Sequence, residues 1–127
     1  MYGYDLKSTF ELVVSKNYEY LKVIEELLRV LKEDGQLLLT FPYGKFENHG
    51  FFQQFDSEML GKITDMLKSI GSYELTFFKY LPEGWSSASQ AECNDSESFN
   101  PHTQRGMKDD FAAHSRAICC VKFIQTK

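Results

Sequence analysis

The chain has 127 residues, of which 43% are hydrophobic and 15% aromatic, and its formal net charge is -4. This length and apolar content suffice for one core of ordinary size, so we predict a single domain over residues 1–127. The acidic balance lacks the even positive field that attracts a phosphate backbone, so we expect no nucleic-acid partner. No run reaches the roughly 18 apolar residues of a membrane span, and the N-terminus lacks a signal-peptide pattern, so we expect no membrane partner and a cytoplasmic location.

The first 19 residues carry an ambiguous pattern. Residues 10–14, FELVV, read as a short strand, whereas residues 5–21 as a whole read equally well as a helix. Both interpretations stay open on the sequence alone, because a short apolar run does not distinguish the two periodicities.

The first clear element is an amphipathic helix that begins near Tyr20. Its apolar positions recur at helical spacing, with charged residues largely on the other side; they are Ile24, Leu27, Leu28 and Leu31. Gly35 fits the left-handed position that often follows a helix end. The sequence QLLLTF over residues 36–41 then predicts a strand buried on both faces.

Pro42 lacks the N–H that a ladder needs, so the strand is expected to end at about Phe41 and to release a loop through Phe52. Asp56 or Ser57 is the predicted cap of a second helix. One apolar stripe runs along that helix, at Leu60, Ile63, Leu67 and Ile70, and Gly71 is expected to stop it.

Two further strands are predicted, over residues 73–81 and 117–126. Residues 82–114 between them are rich in Ser, Asn, Asp and Gly, and we interpret them as a long excursion because they exceed the length of a hairpin turn. The helix between the first two strands favours a right-handed crossover. The last two strands are expected to pair antiparallel.

Residues 28–40, LRVLKEDGQLLLT, resemble the "RVLKPGG" helix end and following strand of class I S-adenosylmethionine-dependent methyltransferases. Glu33 and Asp34 stand where that family often has Pro-Gly. Residues 41–45 and 48–56 are similar to one branch of the family. The resemblance implies an α/β, partial Rossmann-like fold: a sheet of about three strands, mixed, whose last strand lies between the two earlier ones and antiparallel to both, with two main helices.

The cofactor-binding half of that family has no counterpart in this chain. The family holds S-adenosylmethionine on a Gly-rich turn after its first strand, but the eight glycines here never form a GxG cluster. The first five residues resemble the loop after the family's fourth strand, so the chain is expected to begin in mid-fold. We therefore expect no cofactor-binding residues in this chain alone, and S-adenosylmethionine only if a missing half completes it.

The loop after Phe41 carries the candidate substrate-binding side chains, because open α/β sheets place ligands beyond the carboxyl ends of their strands. These residues are Tyr43, Lys45, Asn48 and His49, with His49 as a weak candidate general base. The alternative is a solvated loop in which residues 48–50 make a turn. Trp85 either caps the same pocket or anchors the excursion to the sheet.

The metal-ligand residue types in the excursion are Cys93, Asp95, His102, Asp109 and His114. Their spacing matches no familiar metal motif, so no metal site is expected. With Cys119 and Cys120 the chain has three cysteines and no CxxC pair, and reduced thiols are the simplest interpretation.

Two functional hypotheses follow. The chain is either the substrate-side half of a methyltransferase, inactive alone and completed by an N-terminal half, or a non-enzymatic, self-associating module derived from that fold. The second hypothesis rests on residues 36–41, which would form an apolar sheet edge once the neighbouring strand is missing. It predicts a homodimer.

Overall fold

The computed structural model describes residues 16–49 and 52–126 and shows an α/β fold. The helices are α1 (Tyr20–Val30), α2 (Ser57–Lys68) and α3 (Gln90–Cys93), and the strands are β1 (Gln36–Pro42), β2 (Glu47–Asn48), β3 (Gln53–Gln54), β4 (Gly71–Leu81), β5 (Gly84–Ala88) and β6 (Ala117–Gln125). The predicted α/β class is confirmed. The choice between strand and helix near the N-terminus falls mainly on residues 1–15, which lie outside the described residues.

The main sheet has four strands in the order β1-β6-β4-β5. β6 lies between β1 and β4 and is antiparallel to both, which places Val121 opposite Leu39 on one side and Leu75 on the other. β1 and β4 therefore run in the same direction without touching. The expected central position of the last strand is confirmed, but the prediction of a three-stranded mixed sheet is wrong, because a fourth strand is present and every neighbouring pair is antiparallel.

The fourth strand, β5, lies within the predicted excursion. It pairs with β4 through a tight turn at Pro82 and Glu83, with Gly84 at a φ of 121°. Its sequence, GWSSA, contains small residues of low strand propensity, so pattern alone did not indicate it. The cross-strand pair of Tyr80 and Trp85 holds it on the sheet, with ring centroids 5.5 Å apart.

Helix α1 buries a narrower stripe than its sequence predicts. Ile24 and Leu28 are buried, whereas Leu27 is 38% exposed. The turn after the helix also differs from the prediction, since Asp34, with a φ of 63°, takes the left-handed conformation and Gly35 does not. Gly35 is instead tightly packed, and a Cβ there would lie 2.7 Å from the Lys32 carbonyl oxygen.

The prediction that β1 is buried on both faces is wrong. Its residues alternate between exposed and partly buried, and Leu38 is 69% exposed. Leu37 and Leu39 pack against the core, in which residues of α1 and α2 meet the inward side chains of β6. Both long helices therefore cover one face of the sheet, and the other face of β1 is open among the described residues.

Helix α2 begins as predicted. Asp56 is its N-cap and accepts a hydrogen bond from the Met59 backbone N–H at 3.0 Å. The predicted apolar stripe is buried at Leu60, Ile63 and Leu67, while Ile70 is only partly buried. Gly71 does not stop the helix, which ends at Lys68; it begins β4, where a Cβ would overlap the carbonyl oxygen of Ile124.

The three cysteines are free. Cys93 and Cys119 are buried and Cys120 is partly exposed, so the two neighbouring thiols on β6 point to opposite faces, as expected. None of the described helices combines the length and the apolar character needed to cross a membrane.

Candidate functional site

The segment after β1 folds back on the end of that strand. The Pro42 carbonyl oxygen accepts from the Phe55 N–H, and the Gly44 N–H donates to the Phe55 carbonyl, both at 2.9 Å. Between them, β2 and β3 pair as a short antiparallel ladder. The predicted continuous loop therefore contains its own two-stranded sheet, which fixes the side chains at its base.

Gly44 allows the excursion to approach this segment closely. Its φ is 155°, and a Cβ at this position would overlap the Ser96 carbonyl oxygen. That oxygen accepts from the Lys45 N–H at 3.0 Å and from the Gln54 amide nitrogen at 2.9 Å. A glycine is thus required here so that the excursion can bond to the loop.

A buried polar network joins the loop to the excursion. His49 Nε2 lies 3.2 Å from Glu47 Oε1 and 3.0 Å from Ser98 Oγ. Glu47 Oε2 accepts from the Ser98 N–H at 2.7 Å and from Gln54 Nε2 at 3.1 Å. On the other side of the ring, His49 Nδ1 lies 3.4 Å from Asn100 Nδ2. These contacts satisfy most of the buried polar groups, as a polar core requires.

This geometry does not build a nucleophilic triad. A serine nucleophile and its carboxylate would contact opposite nitrogens of the histidine, whereas Ser98 and Glu47 both contact Nε2. Ser98 is also fully buried. Nε2–H donating to Glu47 leaves Nδ1 to accept from Asn100, so one neutral tautomer of His49 fits the network.

Burial lowers the pKa of His49 from its ordinary value of 6.5, and the nearby Glu47 carboxylate only partly offsets that effect. The imidazole is therefore neutral at pH 7. Its side chain is 0% exposed, so in this arrangement the candidate general base is not open to a substrate. Its place in the network makes it a structural link between loop and excursion.

Tyr43 is likewise buried. Its hydroxyl donates to Asn94 Oδ1 at 2.7 Å and accepts from Gln90 Nε2 at 2.9 Å, while its ring contacts Phe77 edge-on. Burial raises the pKa of this phenol. The side chain ties the end of β1 to helix α3.

The three other predicted substrate-binding residues are scattered. Lys45 is exposed and lies 3.8 Å from Glu97, whereas Asn48 is buried within β2. Trp85 is 50% exposed on β5, where it packs against Tyr80. The structure therefore brings Asn48 and His49 together below the surface and leaves Lys45 and Trp85 at the surface.

An open concavity lies at the carboxyl end of β1. It has a volume of about 240 Å³ and is lined by Pro42, Phe52, His114 and Ser115. Phe52 stacks on His49 with centroids 4.7 Å apart and meets the edge of His114 at 5.9 Å. A second concavity of about 320 Å³ shares His114 and Ser115 and reaches Trp85.

The excursion forms a third concavity, of about 560 Å³, on its own outer side. Its apolar walls come from Phe99, Met107 and Phe111, of which Phe111 is 95% exposed with a φ of 60°. Arg116 also lines it and bonds to Asp110 at 2.6 Å, which lowers the pKa of that carboxyl. This ion pair holds the end of the excursion in place where the chain returns to the sheet.

His114 and Ser115 were not predicted as substrate contacts. They lie about 70 residues from Pro42 in sequence, and only the path of the excursion brings them to the end of β1. Within residues 16–49 and 52–126, no three His, Cys, Asp or Glu side chains gather in a way that would hold a metal ion.

In comparisons with known proteins, no family model, no curated protein and no solved structure matches this chain.

Proposed function

We propose that this chain is the substrate-side half of an S-adenosylmethionine-dependent methyltransferase and that its Gly-rich cofactor half lies elsewhere in the same polypeptide or on a second chain. The single observation that supports this proposal best is the position of β6. The resemblance of residues 28–40 implies a last strand inserted antiparallel between two co-directional strands, and β6 lies in that way between β1 and β4.

The methyl acceptor of this half-enzyme would occupy the concavity at the carboxyl end of β1, the edge at which open α/β sheets bind ligands. Pro42 and Phe52 provide an apolar floor, and the exposed His114 provides a nitrogen able to accept a proton. Trp85, a predicted substrate residue that remains accessible, lines the adjoining concavity. These features favour a small acceptor with an apolar or aromatic body.

The location proposed for this activity is the cytoplasm, because three unpaired cysteines are typical of a reducing compartment.

The test is calorimetric titration with S-adenosylhomocysteine of two samples: the 127-residue chain, and the longer polypeptide or complex recovered with a tagged chain from its native cell. We expect saturable one-to-one binding by the longer assembly and none by the chain alone. Saturable binding by the chain alone would overturn the proposal, as would an assembly with no cofactor affinity.

A second candidate function is a non-enzymatic, self-associating module. It is favoured by one observation, namely that no described strand pairs with the outer edge of β1 along residues 36–41.

A further inference from the structure

The hydrogen-bonding pattern of β1 shows which of its backbone groups have no partner among residues 16–49 and 52–126. The Tyr43 N–H donates to the Ala117 carbonyl, and the Gln125 N–H donates to the Gly35 carbonyl, both at 3.0 Å. Odd-numbered residues of β1 therefore point their backbone groups toward β6. In an antiparallel ladder the alternate residues point the other way, so Gln36, Leu38 and Thr40 direct theirs outward.

Within the described part of the chain, residues 36–41 of this outer edge lack the features that protect natural sheet edges. The outward residues Gln36, Leu38 and Thr40 carry no charge. Pro42 is the one proline of the strand, and it stands at the far end, where the Phe55 N–H already bonds to its carbonyl. An uncharged, regular edge with free backbone groups is a template for pairing with another strand.

Helix α1 continues the same border on the helical side of the sheet. Its first residue, Tyr20, packs on Phe55 with centroids 4.7 Å apart, and the carbonyl of Leu31 just after the helix accepts from Gln125 Nε2 at 2.7 Å. Phe55 lies against one end of β1 and Gln125 beside the other. α1 thus lies along β1, while α2 contacts β4.

The flank of α1 that neither α2 nor the sheet covers is apolar. It consists of Val23, Leu27 and Val30, which are 59%, 38% and 65% exposed. Their spacing of four and three residues forms one stripe on the helix. The stripe and the outer edge of β1 together make what we call the β1 border.

We propose that the 127-residue chain forms a homodimer in which the β1 borders of two copies pair antiparallel across a two-fold axis at Leu38. In this register Leu38 faces the partner's Leu38, and Gln36 faces the partner's Thr40. Three hydrogen-bonded pairs give about six main-chain hydrogen bonds. The two four-stranded sheets then become one, and the apolar stripes of the two α1 helices lie on the same face of the joined sheet, one on each side of the axis.

A second copy fits this border for two reasons. The outward residues are symmetric in chemistry about Leu38, with an uncharged polar side chain on each side, so an isologous contact is self-complementary. Neither copy brings a charge to the paired edge, so two chains of net charge -4 meet there without local repulsion. The proposal concerns the isolated chain and stands or falls independently of cofactor binding.

Sedimentation analysis of Leu38→Lys tests the border. The variant places a lysine opposite a lysine at the axis, and we expect its dimer dissociation constant to rise at least about tenfold. The matched control is Thr76→Lys, which adds the same charge at an exposed position of the interior strand β4 and should leave the constant within about twofold. A wild-type chain that stays monomeric into the high micromolar range would overturn the proposal, as would equal effects of the two variants.

Cross-linking of Leu38→Cys tests the register, even if the lysine variant fails to fold. The two Cα atoms of a hydrogen-bonded antiparallel pair lie about 5.5 Å apart, within the range that a disulfide spans. In a Cys120→Ser background, which removes the partly exposed thiol, mild oxidation should cross-link Leu38→Cys dimers and not Thr76→Cys chains. Cross-linking at equal rates would contradict the register.

Discussion

Replacing Glu47 by alanine should detach the excursion from the loop after β1. The carboxylate is buried and accepts three hydrogen bonds, from the Ser98 N–H at 2.7 Å, from Gln54 Nε2 at 3.1 Å and from His49 Nε2 at 3.2 Å. Alanine removes all three acceptor contacts at once and leaves their donors in a buried setting.

The size of the effect follows from which donors keep another partner. Gln54 Nε2 still donates to the carbonyl oxygens of Lys45 and Ser96 at 2.9 Å, so losing its bond to Glu47 costs little stability. The Ser98 N–H loses its acceptor, whereas His49 Nε2 loses the carboxylate but keeps its contact with Ser98 Oγ at 3.0 Å. The unsatisfied Ser98 N–H costs about 1–3 kcal/mol and the lost contact of His49 with the carboxylate about 0.5–1.5 kcal/mol, so we expect Glu47→Ala to lower the free energy of unfolding by about 1.5–4.5 kcal/mol.

Glu47→Gln separates hydrogen bonding from charge. The glutamine oxygen can still accept from the Ser98 N–H, and its amide can donate to His49 Nε2 once the imidazole takes its other neutral tautomer and the Asn100 amide turns, so mainly the charge-assisted part of the bonds is lost. That part amounts to about 1–2 kcal/mol. The exposed Glu83 in the β4–β5 turn provides the control, since Glu83→Ala should change stability by less than about 0.5 kcal/mol.

Urea unfolding is the assay, followed by the fluorescence of the single tryptophan and by far-ultraviolet circular dichroism. Trp85 lies on β5, in the first part of the excursion, so its signal should report the detachment. If Glu47→Ala unfolded within about 0.5 kcal/mol of wild type, or if Glu47→Gln were as damaging as alanine, the network would not be what holds the excursion.

Three further outcomes are expected. Gly44→Ala should destabilise the fold by about 1–3 kcal/mol in urea titration, because its Cβ overlaps the Ser96 carbonyl; wild-type stability would show that the excursion is not held there. Because the folded-state pKa of His49 lies below 6.5, the stability that its neutral form contributes is complete above that pH and is lost as the pH falls, by up to about 1.4 kcal/mol per pH unit. Urea midpoints of His49→Gln should therefore decline less from pH 7 to 5 than those of the wild type. Parallel curves for the two proteins would contradict this expectation. Asp56→Ala should lower the melting temperature, because the Met59 N–H loses its capping oxygen and the free energy of unfolding falls by about 1 kcal/mol. Asp56→Asn keeps a capping oxygen and should retain most of that stability. Equal losses in the two variants would show that the charge of Asp56, and not its hydrogen bond, stabilises the helix.

Part of the candidate site could be anticipated and part could not. The position of the loop at the end of β1 follows from Pro42, and the sequence indicated polar side chains there. Their burial did not follow, because Tyr43, Asn48 and His49 are covered by the excursion, whose path depends on contacts such as that of Gly44 with Ser96. His114 reaches the concavity for the same long-range reason.

The local patterns of the chain determined its main elements, because each depends on neighbours within a few residues. Helical periodicity identified α1 and α2, and Asp56 was recognisable as a cap from its position alone. The strand-forming residues predicted β4 and β6 equally well, and Pro42 predicted the end of β1. Side-chain chemistry and spacing suffice for such features.

Only the tertiary structure decided what those elements face. Leu38 and Leu27 belong to apolar patterns, yet both are exposed, because the two long helices share one side of the sheet and α1 flanks its edge. β5 exists because β4 offers it a pairing partner, although GWSSA has little strand propensity. Pairing, burial and exposure depend on contacts with residues that are distant in sequence. A local sequence pattern contains no information about which distant residues pack against it.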